Sequence, residues 1–239
     1  MKPARLLVVR PEPGNAATRA AARAMGLDAH GDPLFEIAPV AWSPLPAADF
    51  DAVLIGSANV LRHGGEALVR YTALPAYVVG QTTTEAARGA GFAVAAIGNG
   101  GLQALAGRLA EDGRRRVLRL AGAEHVALKI PPHTAIVTVV VYEARPLPLS
   151  AASAALLGGD TVVMLHSAAA ARHFAGECDR MGIPRGCIAL ACFGPRIAAA
   201  VGSGWASVAS VERPDDAALL VLAARMCQNP HFGDTDNNN

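Results

Sequence analysis

The chain has 239 residues, of which 21 are basic and 20 acidic, so its formal net charge is +1 at pH 7. The basic residues are scattered along the sequence, which gives no indication of a nucleic-acid partner. No apolar run reaches the roughly 20 residues of a membrane-spanning helix, and the first residues lack a signal-peptide core, so we expect a cytoplasmic protein without a membrane partner. The four cysteines lack metal-site spacing and are predicted to be free thiols.

Short aliphatic runs alternate with alanine-rich stretches along the whole chain, a pattern typical of βαβ units and a parallel sheet. The aliphatic runs predict strands at 6–9, 52–55, 76–79, 93–96, 117–120, 135–142, 161–165, 188–191 and 206–209. The alanine-rich stretches predict helices at 15–25, 58–70, 82–89, 102–111, 151–157, 168–181, 195–201 and 214–226. Pro195 and Pro214 are expected in the first turns of their helices. The nearly continuous apolar character of these strands indicates sheets that are covered by helices on both faces.

One strand–turn–helix unit occurs twice, 110 residues apart. The segment 51–63 (DAVLIGSANVLRH) aligns without a gap on 161–173 (TVVMLHSAAAARH), with Ser57 opposite Ser167. A second related pair follows, in which Gly80 corresponds to Gly194. This duplication predicts two similar α/β lobes, each a parallel sheet flanked by helices, with a ligand held between them.

Two extended, proline-flanked segments, 32–39 and 139–148, interrupt the alternation. They predict that the chain leaves its first lobe after one βα unit, builds the second lobe and returns. The first lobe then comprises residues 1–35 and 145–230, and the second comprises residues 38–142. The two crossings would form a two-stranded extended linker, which permits hinge bending. The polar residues 231–239 have the composition of a disordered tail.

Ligands of parallel sheets bind beyond the carboxyl ends of the strands, where loops enter helices. The residues expected there are Arg10, Ser57, Asn59, Gly80, Gln81, Thr82, Thr83, Thr84, Gly122, Glu124, His166, Ser167, Gly194 and Arg196. Exposed N–H groups at helix N-termini favour anions. Ser57 and Ser167 are also expected as helix N-caps, a role that is compatible with ligand contact.

Several well-known catalytic and cofactor fingerprints are missing from the sequence. It contains no dinucleotide-binding glycine motif, no P-loop, no nucleophile elbow and no metal-binding cluster. Covalent catalysis is therefore disfavoured, and the positioning of a polyanion without a cofactor fits the residues better.

The order and spacing of these segments resemble the uroporphyrinogen-III synthase family over nearly the whole chain, from Val8 to the helix after Pro214. The features that carry the resemblance are the Arg10-Pro11 turn, the strand 50–55 with Gly56-Ser57-Ala-Asn59 after it, the Gly80-Gln81-Thr-Thr83 turn with Gly91, the Val141-Tyr142 crossing, His166-Ser167 and Phe193-Gly194-Pro195.

The resemblance implies a lyase of tetrapyrrole biosynthesis that needs no metal or organic cofactor. Such an enzyme takes linear hydroxymethylbilane, removes its hydroxyl as water, and closes the ring with inversion of the last pyrrole, through an azafulvene cation and a spiro intermediate. It also implies two α/β lobes joined by a two-stranded ladder, and a substrate with eight carboxylates. We expect a monomer, and a transient contact with the preceding deaminase is left open.

The resemblance also assigns roles to individual residues. Tyr142 is the candidate proton donor to the departing hydroxyl, although a tyrosine packed in the hinge would look the same in the sequence. Thr83, Ser57 and Ser167 match substrate-facing positions, and Arg10 and Arg196 are candidate carboxylate partners. The weaker candidates, which are expected to be solvated, are Arg62, Arg119, Lys129 and Arg172.

The chain departs from the family pattern at two turns. Residues Gly194-Pro-Arg196-Ile197 lack the hydroxyls that often follow the proline, and Gly56 stands where a threonine is common. These changes affect how the lobe that contains Gly194 binds its share of the carboxylates, where Arg196 is a candidate substitute for the missing hydroxyl, but they leave the mechanism in place. The alternative function is a catalytically inactive two-lobed module that binds a tetrapyrrole or another polyanion, or regulates the pathway. Retention of Tyr142 and Thr83 favours the enzyme.

Overall fold

The computed structural model describes residues 4–98 and 101–228. The chain divides into two compact units, unit 1 (Met1–Glu36 with Pro146–Asn239) and unit 2 (Ile37–Arg145). Each unit contains a parallel sheet with helices packed on it, which confirms the predicted α/β fold class. The tail predicted at 231–239 lies outside the described residues.

The helices and strands follow one another in the alternation that the sequence predicts. In chain order they are β1 (Arg5–Val8), α1 (Gly14–Ala24), β2 (Ala29–Gly31), β3 (Phe35–Pro39), β4 (Ala52–Ile55), α2 (Ala58–His63), β5 (Ala76–Val79), α3 (Gln81–Gly89), β6 (Val94–Gly98), α4 (Leu102–Glu111), β7 (Arg116–Gly122), β8 (Ala135–Pro146), α5 (Ala151–Leu157), β9 (Thr161–Leu165), α6 (Ala168–Met181), β10 (Ile188–Cys192), α7 (Pro195–Ala198), β11 (Ser207–Ser210) and α8 (Asp216–Gln228).

The two sheets have equivalent strand orders. Unit 1 has the order β11-β10-β9-β1-β2, and the parallel strands of unit 2 have the order β6-β5-β4-β7-β8, with β3 beyond β8. The repeated sequence forms β4 and β9, the middle strand of each set of five. In unit 1 the chain starts with the strands that are equivalent to β7 and β8, whereas in unit 2 these strands come last. The two units are thus related by a circular permutation.

Both faces of each sheet are buried. In β1, Leu6 and Val8 pack with α1 and α8, while Leu7 packs on the other face with α5, α6 and α7, and all three side chains are fully buried. Unit 2 repeats this arrangement, with α2 and α3 on one face and α4 on the other. The continuous apolar strands follow from this two-sided burial.

Three predicted helices differ clearly from the structure. The helix predicted at 195–201 ends at Ala198, and the other two differ for a local reason. The helix predicted at 58–70 ends at His63, because Gly65 adopts a left-handed conformation (φ 73°), and a 3-10 helix, Glu66–Tyr71, follows. The helix predicted from Pro214 begins at Asp216, since the Asp215 carboxylate accepts a hydrogen bond from Ala218 N (2.7 Å) and so caps it. Pro195, by contrast, lies in the first turn of α7 as predicted.

Asn15 holds the turn between β1 and α1 and thereby positions Arg10. Its side chain is fully buried, and its amide nitrogen donates hydrogen bonds to Val8 O (2.7 Å) and Arg10 O (3.2 Å). Its amide oxygen accepts a hydrogen bond from Arg19 Nε (2.7 Å). A single buried amide therefore satisfies two main-chain carbonyls at the carboxyl end of β1.

We predict that Asn15→Asp lowers the free energy of unfolding by about 1–3 kcal/mol, because a carboxylate cannot donate to the two carbonyls and leaves them unpaired. Urea unfolding at neutral pH measures this change. Asn59→Asp is the matched control, since Asn59 uses only its side-chain oxygen, as an acceptor from Arg62 (3.0 Å), and aspartate keeps that contact. Equal stability of the two variants would contradict the role given to Asn15.

Candidate functional site

A crevice is expected in unit 2 where β4 and β7 lie side by side. The helix that follows β4, α2, packs on one face of the sheet through Val60. The segment that follows β7 packs on the opposite face through Leu128. Ligands of open parallel sheets bind at such switch points, because connections that leave in opposite directions uncover the carboxyl ends of the strands.

A cavity of about 190 Å³ lies at this position. Its lining residues are Gly56, Ser57, Val60, Leu102, Arg119, Leu120, Ala121, Gly122, Glu124, His125, Val126 and Tyr142. Two of the predicted site residues, Ser57 and Tyr142, therefore meet in one cavity. Complete binding pockets for drug-sized ligands measure about 300–1,000 Å³, so this cavity suits one group of a larger ligand.

Tyr142 reaches the cavity through an irregularity in the sheet. The register between β7 and β8 shifts after Ala121, so that Gly122 pairs with Tyr142. The phenol ring then packs directly on Gly122, where a Cβ atom would lie 2.6 Å from Tyr142 Cζ. Bulges of this kind re-aim side chains near functional sites.

Ser57 caps α2 and lines the cavity at the same time. Its Oγ accepts a hydrogen bond from Asn59 N (3.2 Å), which confirms the predicted N-cap. The glycine before it has a packing reason, because a Cβ atom on Gly56 would lie 2.7 Å from Leu102 Cδ1. A threonine at this position would displace Leu102 from the cavity wall.

Arg119 differs from the expectation that it is solvated. It lies on β7, only 4% of it is exposed, and it lines the cavity. Its Nη1 donates a hydrogen bond to Val126 O (2.8 Å). Burial lowers the pKa of Arg119, and the neighbouring Tyr142 offsets part of that effect.

The remaining sequence-predicted residues of unit 2 lie outside the cavity lining. Asn59 pairs with Arg62, and Gln81 donates to Glu85 Oε1 (2.9 Å) on the exposed side of α3. Gly80 takes a positive φ of 76° before α3, and Thr83 is 5% exposed within that helix.

Unit 1 has the equivalent switch point between β1 and β9, where α1 and α6 leave to opposite faces. Arg10 follows β1 and His166 follows β9, and both approach Asp216 at the start of α8. Arg10 Nη1 donates to Asp216 Oδ1 (3.0 Å), and His166 Nε2 lies 3.5 Å from the same oxygen. The structure thus brings these two predicted residues together around a carboxylate.

Both ring nitrogens of His166 are buried without a hydrogen-bond partner in the described part of the chain. The side chain as a whole is 10% exposed. Burial and, to a smaller extent, the Arg10 guanidinium lower the pKa of His166 to about 4, with Asp216 acting in the opposite direction. The imidazole is therefore neutral at physiological pH.

The other predicted residues of unit 1 follow β9 and β10 at the same sheet edge. Ser167 caps α6, and its Oγ accepts a hydrogen bond from Ala170 N (3.1 Å), as predicted. Gly194 is buried at the start of α7, and Arg196 is exposed. The described residues form no hydrogen bond with the Arg196 side chain.

Comparison with known proteins assigns the family. The model of the family described as uroporphyrinogen-III synthase HemD matches residues 16–220. The chain belongs to the uroporphyrinogen-III synthase family. Members of this family are cyclising lyases that act on a small-molecule substrate without a cofactor.

Solved structures show the same fold. The uroporphyrinogen-III synthetase from Helicobacter pylori is 16% identical, with a TM-score of 0.62, and the comparison covers 93% of this chain and 99% of that one. A mutant uroporphyrinogen III synthase from the extremely thermophilic bacterium Thermus thermophilus is 17% identical, with a TM-score of 0.52 and coverages of 94% and 99%. Among curated proteins, none matches this chain by sequence.

Two features are absent from the described residues, a group of metal ligands and a helix suited to cross a membrane. These residues include no group of three or more His, Cys, Asp and Glu side chains that could hold a metal ion. In the same part of the chain, no helix is both long and apolar enough to cross a membrane. All four cysteines are free.

Sequence reasoning missed one contributor to these sites, Asp216, which is 206 residues from Arg10. Gly122 was expected at the end of its strand, but its contact with Tyr142 depends on a register shift that the sequence does not show. Arg119 was ranked only as a weaker candidate. Arg119 did carry a signal, because a charged residue interrupts an apolar strand at 117–120, and such an interruption indicates a special environment.

We predict that His166 makes the protein less stable in acid. The folded state keeps His166 neutral down to about pH 4, whereas the unfolded chain protonates it near pH 6.5. The contribution to stability is therefore complete above pH 6.5, falls between pH 6.5 and 4, and is constant below that, for a total of about 3 kcal/mol.

Chemical unfolding at pH 7.5 and pH 4.5 measures the effect. His166→Leu should lose less stability between the two pH values than the wild type does, while the exposed His125→Gln should behave like the wild type. An equal loss in the wild type and in His166→Leu would contradict the account.

Proposed function

We propose that this chain cyclises hydroxymethylbilane to uroporphyrinogen III, with loss of water and inversion of the last pyrrole ring. The observation that carries the proposal is the position of Tyr142. The register shift between β7 and β8 directs this side chain towards the cavity at the switch point of unit 2. Membership of the uroporphyrinogen-III synthase family supports this chemistry.

Tyr142 acts as the proton donor in this proposal. Its phenol donates a proton to the departing hydroxyl, the C–O bond breaks, and water leaves behind an azafulvene cation. A phenol is a weak acid, but the bilane already loses its hydroxyl unaided, so a modest acceleration is sufficient.

Geometric restraint selects the product. A free azafulvene closes directly onto the unsubstituted carbon of the last ring and gives the type I isomer. A held bilane presents the substituted carbon of that ring instead, so that a spiro intermediate forms. The bond from this carbon to its original methylene bridge then breaks, and the freed bridge closes onto the unsubstituted carbon, which loses its proton, so that the ring is inverted. Fixing one near-attack geometry contributes to the rate and decides the isomer.

In this proposal the carboxylates of the substrate bind at the carboxyl ends of the strands. Helix N-termini favour anions, and Ser57, Ser167, Gly80 and Gly194 stand at the starts of four helices. The other proposed contacts are Arg10, Asn59, Gln81, Thr83, His166 and Arg196. Arg10 would exchange its bond to Asp216 for a bond to a substrate carboxylate. We also propose a cytoplasmic monomer that receives its substrate from the preceding deaminase.

The test is to generate hydroxymethylbilane in situ, add the protein, oxidise the products and separate type I from type III uroporphyrin. The wild type should give type III. Tyr142→Phe should lower the rate by about 100-fold, at the lower end of the range for a general acid, and still give type III, because the restraint is intact.

Tyr71→Phe is the matched control, since its hydroxyl donates to Leu45 O (2.9 Å) away from the cavity. This variant should keep the wild-type rate. Formation of type I alone by folded wild-type protein would contradict the proposed function and favour a binding module that lacks the chemistry.

Gly122→Ala tests the placement of Tyr142. The new Cβ atom would lie 2.6 Å from Tyr142 Cζ, so the ring must move, and a displacement of about 1 Å costs roughly 100-fold in rate. Tyr142→Phe should then add little to Gly122→Ala, because both changes act on the same group.

The control for this experiment is Gly107→Ala in α4. A Cβ atom there meets nothing within 4 Å, so this variant should keep full activity and gain a little stability. Fully additive effects of Gly122→Ala and Tyr142→Phe on the rate would show that Gly122 acts elsewhere.

A further inference from the structure

We propose that Arg119 binds one acidic side chain of the substrate inside the cavity of unit 2 and so fixes the orientation of the ring that carries it. This inference deepens the proposed function and rests on it for the identity of the ligand. In this proposal one side chain of unit 2 supplies the positive charge that holds the substrate in position.

The first observation is that Arg119 is a buried cation without a counter-ion. Only 4% of the residue is exposed, and no carboxylate pairs with it within residues 4–98 and 101–228. Glu124 also lines the cavity but makes no ion pair with Arg119. A guanidinium stays charged inside a protein, so the fold maintains an uncompensated positive charge beside an open space.

The second observation is that stability alone does not require this charge. The hydrogen bond from Arg119 goes to the carbonyl of Val126, a residue that is 67% exposed, where water could replace the donor. Val117 and Ala121, two residues away on the same face of β7, are apolar. Even a buried ion pair can often be replaced by apolar side chains of similar volume without loss of stability, so we expect the same of a buried charge that has no partner.

The third observation is the chemistry of the cavity. Ser57 lines it together with Arg119, and a hydroxyl donor beside a guanidinium suits a carboxylate. A volume of about 190 Å³ is too small for a tetrapyrrole but adequate for an acetate or propionate arm and part of its ring. The ligand class is therefore a short alkyl carboxylate that is attached to a larger molecule.

The experiment compares Arg119→Met and Arg119→Lys with a control, Arg115→Met, whose side chain is exposed on the same segment. Arg119→Met should raise KM for hydroxymethylbilane by about tenfold or more, which is the loss expected for a charge-assisted hydrogen bond. Its thermal unfolding midpoint should equal or exceed that of the wild type. Arg119→Lys should recover part of the lost affinity, and Arg115→Met should match the wild type.

A second readout needs no catalysis. The Nε–H resonance of Arg119, identified by its absence from the Arg119→Met spectrum, should shift saturably when propionate is added at constant ionic strength, and sodium chloride should not shift it. If the wild type forms no type III product but this resonance responds, the proposed function fails while the anion site stands.

Two outcomes would overturn the inference. One is an unchanged KM in Arg119→Met. The other is an unfolding midpoint lowered in both Arg119 variants together with a resonance that does not respond to propionate, which would make Arg119 a structural residue.

Discussion

Reversal of strand order within a parallel sheet is the constraint on which both candidate sites depend. In unit 2, β4 and β7 are hydrogen-bonded neighbours, yet the segments that follow them pack on opposite faces. The carboxyl ends of these two strands therefore cannot both be covered, and a cavity remains. The same reversal occurs between β1 and β9 in unit 1, because the repeated sequence forms the middle strand of each set.

The arginines at the two switch points differ in whether a carboxylate pairs with them. In unit 1, Arg10 is half-buried and already paired with Asp216, next to a neutral, buried imidazole. In unit 2, Arg119 is buried deeper and has no carboxylate partner within the described part of the chain. A paired arginine must give up its carboxylate partner when it binds an anionic ligand. An arginine without a partner binds the ligand without breaking an ion pair. If both switch points bind substrate carboxylates as proposed, unit 2 is expected to bind the anion more strongly, before helix N-termini are considered.

Local features were predictable from the sequence, and long-range ones were not. The strands at 52–55 and 161–165 and the caps Ser57 and Ser167 were predicted correctly, because apolar runs and caps are encoded within a few residues. The pairing of Arg10 with Asp216 joins the two ends of the chain and needs the tertiary fold. The position of Tyr142 depends on a shift of register between two strands, and no motif marks that shift.

The most direct test of this account is a crystal structure of the protein with uroporphyrinogen III bound under anaerobic conditions. The account predicts that one acidic arm of the product enters the cavity between β4 and β7, with a carboxylate oxygen within hydrogen-bond distance of the Arg119 guanidinium. Product bound to the protein with this cavity left empty would contradict the assignment of the switch point in unit 2 as the site of ring positioning.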